Sequence, residues 1–241
     1  MSYKIYIILF IILIIIIFGW CHIRFLYKKN DELEILQSET LDDNIIQDLL
    51  NRKHPTVFRH ILYEWNIISD IHKLNIENIQ KFIQSDPHFT NIIEYHLKPF
   101  SLFLSKGWKF NITKKDVENT ENIGKHFFQE NNYRHLIAQI TGIQRVYIAS
   151  SNQSSFLDKS TNTLSDTIEN KHKYNKKYNI TDFWNKDETS KQPFVNIQYI
   201  EIILREGNLL YIPYGCWYLQ KVEEQGLILE AINNTYLALF A

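Results

Sequence analysis

The groups in this chain with a capacity for chemistry include nine histidines, two cysteines and 27 carboxylates, and their spacing limits what they can do. His126 and Glu130 stand four apart. That spacing aligns side chains on a helix but not on a strand, and the apolar β-like texture around them predicts a solvated pair, not a ligand pair. His135 precedes the apolar run Leu136–Thr141. It is expected to hydrogen-bond inside a barrel and not to bind metal. Cys216 adjoins Trp217. With no nearby His or helix N-terminus to lower its pKa, it reads as a buried, inert thiol. Cys21 and Cys216 allow at most one bridge, so this is no disulfide scaffold. Lys171–Lys177 is a basic loop, expected to be solvated or to touch anionic lipid if it lies near a membrane. The chain has no Gly-rich phosphate loop, nucleophile elbow or zinc spacing.

These residues belong to a chain of 241, 45% hydrophobic and 22% charged, with room for one domain of about 200 residues and an appendage. A formal net charge of −1 gives no field for nucleic acid. The excess of Ile, Asn and Lys fits an AT-rich genome and says nothing about chemistry. Ile5–Cys21 carries no charge, and its extension to Ile23 gives roughly 28 Å of helix. Tyr3 and Trp20 stand at its ends as interfacial aromatics. The bulky Phe18-Gly19-Trp20-Cys21 disfavours signal-peptide cleavage, so residues 1–29 read as an uncleaved transmembrane anchor. Lys4 precedes the span, whereas Arg24, Lys28 and Lys29 follow it, which places the C-terminal domain on the cytoplasmic side. The sequons at Asn111, Asn152, Asn179 and Asn233 would matter only in the opposite orientation. Cys21, at the membrane boundary, needs no role as a palmitoylation site.

Residues 30–51 read as a linker with a short amphipathic helix over Asp42–Leu50, Thr40 as its N-cap and Leu41, Ile45, Ile46 and Leu49 on one face. Pro55–Arg59 reads as a strand, and Asn75–Gln84 and Lys98–Ser105 as helices. Short β runs follow: Leu136–Thr141, Arg145–Ala149, Tyr199–Leu204, Leu209–Pro213, Trp217–Val222 and Gly226–Ile232. The polar stretch Ser150–Gln192 is too long for a tight connection and reads as a surface insertion. Helices followed by many short strands indicate α+β with a sandwich or barrel core.

Three segments carry a resemblance. Arg134–Ile148 contains Ala138-Gln139-Ile140-Thr141-Gly142-Ile143-Gln144-Arg145, Ile203–Tyr218 contains Gly207-Asn208-Leu209-Leu210-Tyr211-Ile212-Pro213 followed by Cys216-Trp217-Tyr218, and Pro55–Trp65 leads from a strand to a Trp. In this order and spacing they resemble the cupin-like branch of the JmjC proteins, which includes the asparaginyl hydroxylase of hypoxia signalling. The resemblance covers residues 52–241 and implies a double-stranded β-helix, or jelly roll. It also implies a site in which two His and a carboxylate hold Fe(II) and leave positions open for 2-oxoglutarate and O₂.

Set on this chain, the His-x-Asp/Glu pair of that family falls at Gln129 and Asn131, its second His at Tyr218, and its basic co-substrate residue at Gln144. All four depart from the pattern. The residues two places after each His are Arg24, Thr56, Leu62, Leu74, Thr90, Lys98, Phe128, Ile137 and Tyr174, so no His-x-Asp or His-x-Glu exists, and His172 is the last His. Neutral amides are poor ligands for Fe(II), and a phenol with a reference pKa of about 10 stays protonated. The expectation is therefore an α+β chain: one transmembrane helix, N-terminal helices, and a cupin/JmjC-like jelly roll with neither catalytic residues nor metal. No cofactor is expected. The lipid bilayer at residues 5–23 is one partner. A protein bound at the barrel mouth or at the 150–192 insertion would be another, and nucleic acid is not expected. The alternatives are an active Fe(II)/2-oxoglutarate hydroxylase with a relocated site, and a structural membrane component of a virion.

Overall fold

The computed structural model describes residues 3–27, 32–39, 42–65, 87–102, 105–117, 126–153, 177–179 and 198–236. Helix α1, Tyr3–Tyr27, has no acidic residue in its first turn and Arg24 in its last. The Arg24 guanidinium lies 4.8 Å from the centroid of the Trp20 ring. None of the apolar window Tyr3–Cys21 is buried against the rest of the chain. By length and composition the helix could cross a bilayer, and a signal sequence has the same properties.

Strand β1, Leu36–Ser38, pairs parallel with β2, Thr56–Phe58, and so extends a sheet into the stretch 30–51 read as a linker. Helix α2, Asp43–Arg52, packs in the same region, with Ile46 and Leu50 buried and Leu49 partly so. Ile45, expected on that face, is exposed. Its N-cap is Asp42, whose carboxylate accepts from the backbone N–H of Asn44 and Ile45; Thr40 and Leu41 lie outside the described residues, as does the helix expected at Asn75–Gln84.

One expectation fails locally, and one helix is unforeseen. The described residues of Lys98–Ser105 form no α-helix. Lys98–Phe100 forms one 3₁₀ turn around Pro99, and β3 begins at Ser105 and runs to Lys115. Trp108, Phe110 and Ile112 alternate with Lys109 and Asn111, a period of two that suits a strand. Helix α3, Pro87–Leu97, was not anticipated; it buries Ile93 and Leu97, four apart on one face.

The remaining strands are β4 His126–Gln129, β5 Arg134–Gln139, β6 Ile143–Ala149, β7 Lys177–Asn179, β8 Tyr199–Arg205, β9 Leu209–Pro213, β10 Trp217–Glu224 and β11 Gly226–Thr235. Only β7 and the 3₁₀ turn Ser151–Gln153 of the expected insertion are described. The sheets run β1-β2-β9-β5-β11-β3 and β7-β4-β10-β6-β8. Within them β3 pairs with β11, β4 with β10, β5 with β9 and β6 with β8, all antiparallel. This nested pairing, first with last and inward, is what a long antiparallel hairpin makes when rolled upon itself. The result is a cupin-like β-sandwich with the strand order of a jelly roll.

Each face of the first sheet has its own core. The outer face carries Leu136, Ala138, Tyr211 and Leu229 against Ile46, Leu50, Ile93, Leu97 and Phe100 from the helical side. The inner face carries Ile137, Leu210 and Ile228 against Val146, Ile148 and Leu204 of the second sheet. Each Leu, Ile, Val or Phe among them contributes roughly 1.5–3 kcal/mol by leaving water. Buried Arg134 ties the helical side to the sheet, donating to the carbonyls of Phe100 and Ser101 and to Gln47 Oε1.

Candidate functional site

Alternation on the strands fixes what points into the barrel. On β6, Gln144 shares a face with the interior residues Val146 and Ile148. On β10, Tyr218 packs against the same interior cluster, so Gln220 faces inward as well. On β5, His135 and Gln139 flank interior Ile137. On β11, Glu230 lies two residues after interior Ile228.

The register of β4 with β10 separates the residues expected to stand together. Tyr218 is opposite Phe128, and Trp217 is opposite Gln129. Gln129 thus shares the outer face of the second sheet with Trp217, half-buried, its amide 3.5 Å from the Gly215 carbonyl. Asn131 lies in the connection between β4 and β5, half-buried. Of the three expected positions only Tyr218 faces the interior. Phe128 stands beside it, with ring centroids 5.9 Å apart.

The residue this reasoning overlooked is Glu130. It is 1% exposed, not solvated as expected, and its Oε2 lies 2.5 Å from Nδ1 of His135, itself 4% exposed. Its Oε1 accepts from the backbone N–H and the side-chain amide of Asn132, at 2.7 and 2.6 Å. The backbone of Glu130 is anchored too, its N–H donating to Cys216 and its carbonyl accepting from Gly215, both at 2.8 Å. Cys216 is buried, as its neighbours suggested. Burial disfavours charge on His135, but the Glu130 carboxylate, by attraction and by hydrogen bond, outweighs it and raises the imidazole pKa. The edge of the His135 ring meets Tyr218, 5.5 Å between centroids. Burial, with Glu130 and Glu230 nearby, pushes the Tyr218 phenol well above its ordinary pKa, so it holds its proton.

Further along, Glu230 lies 3.7 Å from Lys115 Nζ and 3.5 Å from the Gln220 amide. Gln144, at the expected co-substrate position, is fully buried, and neither of its amide atoms has a hydrogen-bond partner. Alternation counted outward from Tyr218 and Gln144 would have located Gln220; nothing in the sequence would have located the Glu130–His135 pair.

These residues do not fit the iron centre of the resembled family. Beside Tyr218 stand a phenyl ring and a carboxylate already engaged by His135 and Asn132. No group of three or more His, Cys, Asp or Glu among the described residues could hold a metal ion. Gln144 is uncharged and cannot neutralise a distal carboxylate as a lysine would.

No protein-family profile matches the chain, and no curated protein does. Among solved structures it is similar to WlaRB, the TDP-quinovose 3,4-ketoisomerase of Campylobacter jejuni, at 12% identity and TM-score 0.29 over 53% of this chain and 62% of that one. It is also similar to the hydroquinone 1,2-dioxygenase of Sphingomonas sp. TTNP3, at 13% identity and TM-score 0.30 over 54% and 61%. Both are cupin-fold proteins. The chain thus spans about three fifths of each.

Proposed function

We propose that this chain is a membrane-anchored, JmjC-like jelly-roll protein that has lost iron-dependent oxygenase chemistry and works as a binding module. The observation that carries the reading is the inward set around Tyr218: Phe128, a protonated phenol, and a carboxylate committed to His135. Losing even one outer-shell partner of a metal ligand weakens metal binding about 10–100-fold; here all three ligand positions, Gln129, Asn131 and Tyr218, depart from the ligand types of the resembled family. The anchor is residues 5–23, whose apolar window up to Cys21 is unburied, with Arg24, Lys28 and Lys29 drawing the barrel to the cytoplasmic side. The ligand or partner is taken at the barrel mouth.

The test is an anaerobic titration of the full chain, in detergent, with Fe(II) or Mn(II), with and without 2-oxoglutarate. Bound metal per chain and thermal shift are the readouts. The expected result is no stoichiometric metal and no shift that depends on 2-oxoglutarate. One metal per chain, with a shift on adding 2-oxoglutarate, would make the active hydroxylase the better reading.

A further inference from the structure

Among the described residues the two sheets end in the edge strands β1, β3, β7 and β8. A protein keeps an edge unpaired by making it short, by placing lysines on it, or by breaking its regularity. β1 and β7 are short, three residues each. β3 is eleven residues long but guarded: it carries Lys106, Lys109, Lys114 and Lys115. Gly107 in it is left-handed at φ +88°, and the register with β11 shifts between Asn233 and Thr235. β8, Tyr199–Arg205, has none of these devices. It runs Tyr-Ile-Glu-Ile-Ile-Leu-Arg, and it pairs with β6 in unbroken register from Tyr199↔Ala149 to Arg205↔Ile143. β6 is its one neighbour among the described residues.

The side chains of β8 indicate what would pair with it. Ile202 and Leu204 point into the core between the sheets, so Glu201, Ile203 and Arg205 share the outer face. All three are exposed, and Ile203, 43% exposed, leaves an apolar side chain in water midway between two opposite charges. Glu201 meets Arg145 of β6, whereas Arg205 has no carboxylate partner among the described residues. Consider a second β8 laid antiparallel along this edge, with a two-fold axis at Ile203. Ile203 then lies opposite the partner's Ile203, and each Glu201 lies opposite the other copy's Arg205. Directly opposite residues share a face with Cβ atoms about 4.5–5.5 Å apart, and opposite charges in that position attract. Moving the axis to Ile202 sets Glu201 against Ile203 and Arg205 against Tyr199, and the ion pairs are lost. The edge is thus complementary to itself in one antiparallel register.

We infer that β8 is a docking edge for a second copy of this chain, joining the second sheets of two barrels antiparallel about Ile203. The inference goes beyond the proposed binding module and does not depend on what that module's barrel holds. A seven-residue edge lies at the small end of specific interfaces, so the dimer forms and dissociates with concentration.

The full chain in detergent is followed by sedimentation velocity over a concentration series, and a monomer–dimer equilibrium is expected. Arg205→Glu and Glu201→Arg should each weaken it at least about tenfold, because each sets like charges opposite one another on both sides of the axis. Mixing the two variants should restore the dimer, since every contact between positions 201 and 205 is then Arg against Glu. Ile203→Lys supplies the loss of dimer if either charge variant fails to fold. Register is tested separately, because helix α1 could associate by itself. Opposed antiparallel Cα atoms are about 4.5–5.5 Å apart, within reach of a disulfide. In a Cys21→Ser background with mild oxidation by copper phenanthroline, Ile203→Cys should therefore give a covalent dimer. Lys109→Cys, on the guarded edge β3, should not. A monomer at every concentration, or no cross-link at position 203 above the Lys109→Cys control, would overturn the inference. So would a dimer unchanged in all three charge variants, or no recovery on mixing.

Discussion

His135 shows how one carboxylate resets a buried group. Alone in this interior an imidazole would be neutral; 2.5 Å from Glu130 it gains proton affinity. Besides Glu130, the groups that face it are Glu230, which also favours its proton, Lys115, which opposes it, and the neutral Tyr218 phenol. The linkage sign follows. Because the folded-state pKa is raised, the stabilisation is fully present below the unfolded value near 6.5 and is lost as pH rises through the folded one. Stability should therefore fall across that window by at most about 1.4 kcal/mol per pH unit. Denaturant midpoints of the parent and of His135→Gln, taken from pH 6 to 9, check this: the parent should slope downward and the variant run flatter. Equal slopes would remove His135 from the account. The chemistry of Glu130 was not legible in the sequence, because its partner is set by the turn through residues 130–133 and not by a spacing rule.

Among the elements, the hairpin start of β11 is tightest. A Cβ on Gly226 would lie 2.0 Å from the Thr141 carbonyl oxygen, a backbone atom that cannot rotate away. Gly142 faces it with φ +78°. Gly226→Ala should thus cost roughly 1–3 kcal/mol as an overpacked site, measured as a lower urea midpoint with unchanged slope. A midpoint within error of the parent would show that the strand shifts freely there. The strands of the second half were legible from alternation and turn residues. β3 was missed although Trp108, Phe110 and Ile112 alternate, because Phe100, Leu102, Phe103 and Leu104 just before it suggested a helical face. The chain instead makes one 3₁₀ turn that ends at Phe100.

For the whole molecule, orientation can be read chemically. Asn111 and Asn152 are exposed sequons on the jelly roll, whereas Asn233 is fully buried, its amide donating to Ser105 Oγ and to the Gly107 carbonyl. Produced in a eukaryotic cell, the cytoplasmic domain proposed here should carry no glycan at Asn111 or Asn152 by intact-mass measurement. A glycan at either would place the barrel on the other side of the membrane. Asn233 cannot report, since its side chain is committed inside the fold. The apolar run at residues 5–23, the alternating strands and the absence of any His-x-carboxylate pair were decided by the sequence itself, because length, period and residue type are local properties. Tertiary structure decided which face each residue took. A pairing that sets Phe128, not Gln129, across from Tyr218 turns the neighbours of both over, since side chains alternate every residue along a strand. The local turn between β4 and β5 brings Glu130 to His135, but only long-range strand pairing, invisible in the order of residues, could leave Gln144 without a partner inside the barrel.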